Sequence, residues 1–332
     1  MLFPALLLLF GLVLLVAGAR TMIYGATALA TACGVSPLII GLTIVAFGTS
    51  APEVVVNTTA AFSGEPQLAF GNIVGSSAIN LGWVLAITAL VRPIKVERSM
   101  ITREIPMMLL ATAAFFILTA DRLLDHASSD LLTRGNGIIL LLLFGVFLYY
   151  NIAIVLNTPG KTQQEDPFAE EIAEHVERRK KLSTGFSLLL TLLGLAALVT
   201  GGRLTVFAAV KIATALGVPE FLIGLTIISF GTTLPELVTG ILATRRGQGD
   251  IAIGNVVGSN IFNLLFIGGF VSVIRPIPVP PGGVSDLVIL SVLSALVLPI
   301  CIRGHRTVTR AEGAFLLVIY LGYMVWRVST SH

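Results

Sequence analysis

The sequence predicts an all-α integral membrane protein: ten transmembrane helices arranged as two inverted five-helix repeats, with helices two and seven broken. Three observations predict it. Apolar residues make up 55% of the 332 and charged residues only 12%, with a mean hydropathy of +0.94, whereas a soluble domain carries about 25% charged residues. The apolar residues fall into ten stretches of spanning length. The chain also repeats itself at a displacement of 183 residues.

A single helix crosses the bilayer with roughly 20 apolar residues. The stretches run near 2–28, 35–62, 67–91, 104–120 and 136–156, then 185–210, 218–243, 251–274, 285–302 and 312–328. The first, opening MLFPALLLLFGLVLLVAG, resembles a secretory leader in length. It lacks the positively charged start that such a leader needs, so it is expected to be the first transmembrane helix. The long polar interruption NTPGKTQQEDPFAEEIAEHVERRKK separates a first unit, 1–156, from a second, 185–332, as a linker over 157–184. Its acid-then-base order from Glu170 to Lys181 would suit a short surface helix with both dipole ends compensated. Its composition favours a solvated linker.

Charge orients the chain. With the N-terminus outside, the cytoplasmic connections hold fifteen basic residues, among them Arg92, Lys95, Arg98, Arg178–Lys181 and Arg245, against six on the other side. That bias predicts both termini outside. It also accounts for the net charge of +3 and the pI near 9.0 without a nucleic-acid partner, for which no module is present in the sequence. Cys33 and Cys301 stand apart with no CxxC, and the four histidines lie in connections or at the C-terminus. No prosthetic group is expected, and lipid and inorganic cations are the expected partners.

The repeat carries the chemistry. Gly34–Ile94 lies over Gly217–Ile277 without a gap, with 26 of 61 positions identical. GLTIVAFGTSAPE (41–53) meets GLTIISFGTTLPE (224–236), and GNIVGSSAINL (71–81) meets GNVVGSNIFNL (254–264). Apolar helices resemble one another by composition, but matched Gly, Pro, Glu, Asn and Arg do not arise that way. Five spans per half is an odd number, so the copies cross the membrane in opposite senses. Such inverted repeats are a transporter architecture with the substrate site where the copies meet.

Glu53 and Glu236 occupy equivalent positions deep in apolar stretches. A carboxylate at mid-bilayer costs at least a few kcal/mol, and no Lys or Arg stands at that depth to offset it. A bound cation supplies the missing charge; two protonated glutamates bonded to backbone are the alternative. Pro52 and Pro235 precede the acids, removing the hydrogen bond to the carbonyls of Gly48 and Gly231 and predicting a break. Thr49 and Ser50, like Thr232 and Thr233, lie one turn before the acid and reach its face. Asn72, Ser76 and Asn80, and equally Asn255, Ser259 and Asn263, form a second polar stripe at spacing four. Gly71/Gly75 and Gly254/Gly258 in the same turns permit close helix approach. Carboxylate, hydroxyl, amide and carbonyl oxygens together suit Ca²⁺, which takes 6–8 oxygens in a flexible shell. Na⁺ wants a similar shell with less charge, and Mg²⁺, which keeps its waters, fits less well.

With GTxxPE and GNxxGS present twice, the chain resembles the sodium/calcium exchangers of the cation/calcium exchanger superfamily, in particular their compact prokaryotic members. The resemblance implies Ca²⁺/Na⁺ antiport by alternating access in a prokaryotic inner membrane. It implies a central site of Glu53, Thr49, Ser50, Ser76 and Asn80 from one half and Glu236, Thr232, Thr233, Ser259 and Asn263 from the other. Backbone oxygens of Ala46 and Ser229 complete that implied set, and spans one and six are implied to slide against the rest. Some relatives carry Asp where Asn263 stands and Ser where Thr233 stands, which bears on the counter-ion: Na⁺, H⁺ or K⁺. The linker is too short for the regulatory calcium-binding domains of animal relatives. Two other classes are disfavoured. Gly247-Gln248-Gly249-Asp250 spells the GxGD of an intramembrane protease, but no second aspartate lies in a neighbouring span. A channel needs its ion to leave readily, and paired deep carboxylates hold a divalent ion tightly.

Overall fold

The computed structural model describes residues 2–33, 37–64, 66–124, 128–157, 183–216, 229–303 and 306–329. Almost all of the described chain is helical. Eight helices among these residues are long and apolar enough to span a bilayer: Phe3–Ala30, Pro66–Val91, Met100–Ile117, Arg134–Ala153, Thr184–Ala215, Gly249–Ile274, Gly283–Ile302 and Arg310–Ser329. The second and seventh expected spans consist of shorter pieces. Pro37–Ile40, Gly41–Val45 and Ala46–Thr49 follow one another, the middle piece widened to a π-turn, and Ala51–Phe62 follows Ser50. In the other half Ser229–Thr232 precedes Thr233 and Leu234–Arg245. Residues 217–228, which begin the seventh expected span, and residues 158–182 of the polar linker lie outside the described residues.

Burial sorts the helices. Within the 18-residue apolar window of each helix, 78% is buried in Pro66–Val91 and in Gly249–Ile274, against 17–39% in the other six. These two are equivalent under the 183-residue register, and they form the centre of the molecule. Their side chains build the main apolar core, with Phe70, Ile73, Leu81 and Leu85 from one and Val256, Ile261, Leu264 and Leu265 from the other. A helix buried all round is apolar on every face rather than on one, and the serine–asparagine stripes are what interrupt that pattern here. Each central helix widens to a π-turn at the same place, over Asn80–Val84 and Phe262–Ile267. Such turns interrupt the regular hydrogen-bond ladder and occur frequently at functional sites.

The first helix, Leu2–Cys33, and Thr184–Ala215 lie against each other at backbone contact. A Cβ at Gly18 would stand 2.5 Å from the Leu198 nitrogen, and one at Gly194 would stand 2.3 Å from the Met22 nitrogen. Gly11, Gly25 and Gly201 meet the partner helix as closely. Small residues allow this approach, which is how helices gain packing energy where lipid removes the hydrophobic drive. The outer sides of both helices expose Phe3, Leu6, Leu9, Phe10, Leu188, Leu189, Leu192 and Leu193, as a lipid-facing surface does.

Short pairings tie the halves together. β1 (Ile94–Lys95) pairs with β4 (Thr307–Val308), and β2 (Leu131–Leu132) with β3 (Ile277–Pro278), both antiparallel. β1 and β3 coincide under the 183-residue register, so the first strand of each half pairs with the second strand of the other. Arg92 of the first half donates to the carbonyls of Arg245 (3.2 Å) and Thr244 (3.5 Å), satisfying the end of Leu234–Arg245. Its equivalent, Arg275, lies beside Gly64 at the end of Ala51–Phe62.

Candidate cation site

The site forms where Ala51–Phe62 and Leu234–Arg245 begin. Ser50 (φ −83°, ψ 7°) and Thr233 (φ −92°, ψ 3°) stand outside helical geometry, each two residues before its proline. Proline is well placed in a first turn, where its missing N–H costs nothing. Glu53 and Glu236 therefore sit in the first turns of their helices, where the helix dipole favours negative charge. The carbonyl ends of Ala46–Thr49 and Ser229–Thr232 meet the same points. A helix C-terminus is the end that attracts a cation.

The structure gathers most of the residues expected from sequence. Glu53 and Glu236 are each 1% exposed, and Thr49, Ser50, Ser76, Asn80, Thr233, Ser259 and Asn263 are buried as fully. The two carboxylates lie close enough to repel each other. Hydroxyls cross between the halves. Ser50 Oγ donates to Glu236 Oε1 at 3.3 Å, and the Thr49 and Thr232 hydroxyls stand beside Glu236 and Glu53 respectively. Each acid thus has a hydroxyl of the opposite copy beside it, and Glu236 is hydrogen-bonded by one. Ala46 is fully buried, and its carbonyl already accepts the Ser50 N–H (3.0 Å) and lies 3.3 Å from Thr49 Oγ1. The side chain of Ser229 lies outside the described residues, although its backbone opens Ser229–Thr232.

What remains unsatisfied defines the chemistry. Glu53 Oε2, Glu236 Oε2, Asn80 Oδ1, Asn263 Oδ1 and Ser259 Oγ are all buried without a hydrogen-bond partner among the described residues. A buried polar atom left unpaired costs about 1–3 kcal/mol, and more when charged. Native interiors hold few such atoms. Fourteen occur among the described residues, and six of them come from the two sequence motifs that the repeat singled out: these five oxygens and the amide nitrogen of Asn255. This donor set fits a hard cation. No group of three or more His, Cys, Asp or Glu occurs among the described residues, so the fixed negative charge is that of the two glutamates.

Several partners were not visible in the motifs. Asn57, one turn after Glu53, donates to the Glu53 carbonyl (2.7 Å) and to Asn72 Oδ1 (2.8 Å). Its place in the second copy is taken by Gly240, so the register gave no signal. Asn72 is thereby engaged with Asn57, and Asn255 Oδ1 accepts from Thr49 Oγ1 at 3.0 Å. The two leading asparagines of the stripes thus support the site from behind. Gly258 lets the central helix approach Leu42 and Ala46, with a Cβ there only 2.6 Å from the Leu42 carbonyl. Glu104, expected at the edge of a span, is a further buried carboxylate, only 3% exposed. Cys301 is a buried free thiol.

Comparison with known proteins agrees with this geometry. The family model described as sodium/calcium exchanger protein matches residues 3–153 and 186–329, nearly the whole chain on both sides of the linker. A protein of Alkalimonas amylolytica called CaxA is 38% identical over 326 residues, covering 97% of this chain and 98% of that one. The sodium/calcium exchanger MaX1 of Methanosarcina acetivorans is 31% identical over 341 residues, covering 96% and 97%. The solved structure of the sodium-calcium exchanger NCX_Mj superposes with a TM-score of 0.80 at 28% identity, covering 98% of each chain. The protein is thus an integral membrane transporter rather than an enzyme, and it belongs to the sodium/calcium exchanger family.

Proposed function

We propose that the chain exchanges Ca²⁺ for Na⁺ across a prokaryotic inner membrane by alternating access to the Glu53–Glu236 site. The observation that carries this reading is the pairing of two buried carboxylates with unpartnered oxygens of Asn80, Asn263 and Ser259. Two negative charges match one divalent cation, and all the donors are hard. Ca²⁺ accepts such a flexible oxygen shell more readily than Mg²⁺ does. The relatives MaX1 and NCX_Mj, named as sodium/calcium exchangers, support Na⁺ as the counter-ion.

The near-complete burial of the site residues supports a carrier over a channel. An open pore would leave its coordinating groups wet. A site closed from water must open to one side at a time, and an inverted repeat provides two equivalent arrangements for that. In this reading 1–156 and 185–332 are the two repeats, each of five helices and each broken before its glutamate, at Ser50 and at Thr233. The 157–184 segment is their cytoplasmic linker, and both termini face outward. The fold brings a glycine-lined seam between the first helix and Thr184–Ala215, which supports the pair moving as one body.

H⁺ is the competing counter-ion, because two carboxylates that repel each other are also a place for protons. Everted membrane vesicles separate the two. Ca²⁺ uptake driven by an outwardly directed Na⁺ gradient at fixed pH supports the sodium reading. Uptake driven only by a pH gradient replaces it with proton exchange, and uptake that requires K⁺ makes K⁺ a co-substrate. Vesicles that move Ca²⁺ under none of these gradients refute exchange altogether.

A further inference from the structure

Among the buried positions at which the two copies differ, one exchanges a hydroxyl for an amide. Ser77 in the first copy corresponds to Asn260 in the second. Ser77 turns its hydroxyl to the carbonyl of Ile73 on its own helix (2.8 Å). Asn260 instead reaches across to the first copy. Its Nδ2 donates to the backbone carbonyl of Ser77 (3.2 Å) and faces the sulfur of Met108 at 4.0 Å, while its Oδ1 accepts from Asn80 Nδ2 at 3.1 Å.

The order of donors along this chain is fixed at its far end. A backbone carbonyl and a thioether only accept, so the amide nitrogen of Asn260 must face them. Its oxygen is then the atom left for Asn80. An oxygen only accepts, so Asn80 must present its own nitrogen there and keep its oxygen on the other side. That oxygen, Asn80 Oδ1, is buried and unpartnered among the described residues. An asparagine amide is otherwise free to turn over at small cost, which would offer a cation two hydrogens in place of an oxygen. We propose that Asn260 is a positioning residue that locks the Asn80 amide with its oxygen toward the transported cation.

The lock acts on one half only. Asn263, the equivalent of Asn80, faces a copy in which Ser77 stands where Asn260 would be and bonds its own helix. The site therefore carries one pre-oriented amide ligand and one that this relay does not hold. Pre-organised ligands need less rearrangement on binding, so the locked asparagine contributes to affinity for the cation rather than to the rate of the conformational step.

The inference rests on Asn80 being a cation ligand, and a two-by-two set of variants separates the two claims. The full-length chain is reconstituted in liposomes, and Na⁺-driven ⁴⁵Ca²⁺ uptake is read as the half-saturating Ca²⁺ concentration and the maximal rate. Asn260→Leu keeps the volume and removes the relay. It should raise the half-saturating concentration about tenfold, equivalent to about 1.4 kcal/mol, with the maximal rate changed by less than about twofold. In an Asn80→Ala background the same substitution should change the half-saturating concentration by less than about twofold, because residues acting through one contact are not additive. If Asn260→Leu fails to reach the membrane, Asn260→Ser, which copies the first half and needs no extra room, is read by the same criteria. Equal effects in both backgrounds would make Asn260 a packing residue and overturn the proposal. A silent Asn260→Leu beside a damaging Asn80→Ala overturns the lock and leaves the site reading standing. A harmless Asn80→Ala removes the ligand assignment, and the lock with it.

Discussion

Glu53→Gln is the sharpest test of the site, because it changes charge and almost nothing else. Glutamine keeps the volume of the buried side chain and an oxygen toward the Thr232 hydroxyl beside it. What it loses is one negative charge beside the cation. At an effective dielectric constant near 20, two unit charges 4 Å apart interact by about 4 kcal/mol. The loss is then about 8 kcal/mol for a divalent ion and about 4 kcal/mol for a monovalent one. Repulsion between Glu53 and Glu236 is present in the empty and the loaded site alike, so it largely cancels from the binding difference. Protonation of the empty wild-type site reduces both figures, but their ratio follows from charge alone. Even half of the divalent term, about 4 kcal/mol, is roughly three decades of affinity. The variant should therefore fold, retain measurable Na⁺ binding and lose Ca²⁺ binding by about a thousandfold or more. Calorimetric titration of the detergent-solubilised protein with each ion measures this, with size-exclusion chromatography as the check on folding. A folded Glu53→Gln protein that binds Ca²⁺ within tenfold of wild type would falsify the assignment of Glu53 as a direct ligand.

Two further perturbations follow from the same geometry. Asn263→Asp adds a third carboxylate to a site whose Asn263 Oδ1 is already unpartnered among the described residues; it should tighten Ca²⁺ at least about tenfold by the same Coulomb reasoning. Calorimetry showing unchanged or weaker Ca²⁺ binding would remove Asn263 from the ligand set. Gly194→Ala places a Cβ 2.3 Å from the Met22 nitrogen, so the first helix and Thr184–Ala215 must separate. Overpacking of this kind costs about 1–3 kcal/mol, read as a lower thermal unfolding temperature in detergent, and an unchanged midpoint would mean that the seam is not tight.

The parts of this protein legible in its sequence are those in which a polar residue interrupts an apolar run. Glu53 and Glu236, the prolines before them and the serine–asparagine stripes stand out because hydrocarbon tolerates them only for a reason, and the 183-residue register pairs them. Ser50 and Thr233, which stand outside helical geometry, lie just ahead of those prolines. The contacts between copies were not legible, because they depend on which faces meet and the central helices are buried all round. Nothing local marks Thr49 as the partner of Asn255, or Asn260 as the partner of Asn80. Asn57 escaped because its counterpart is glycine. The π-turns at Asn80–Val84 and Phe262–Ile267 have no composition signature either. One signal was present but unused: Gly11, Gly18 and Gly25 recur every seven residues, as do Gly194 and Gly201, which is the spacing of the seam between the two outer helices.

The energetics of the empty site bear on why such a protein would exchange ions instead of leaking them. Closing the site over Glu53 and Glu236 without a cation buries two like charges and leaves Asn80, Asn263 and Ser259 oxygens unpaired. Burying even one unpaired ion costs several kcal/mol after relaxation, and here the two also repel each other. A bound Ca²⁺ cancels both charges and supplies the missing partner for each oxygen. Monovalent cations or protons, in sufficient number, do the same. In the alternating-access reading proposed above, the closed state is then reached only when the site is loaded, so an ion carried one way has to be replaced before the site can return. On this argument the coupling of the two fluxes needs no separate gate. It arises from the cost of occluding bare carboxylates, and weakening that cost, as Glu53→Gln does, should let the empty carrier return.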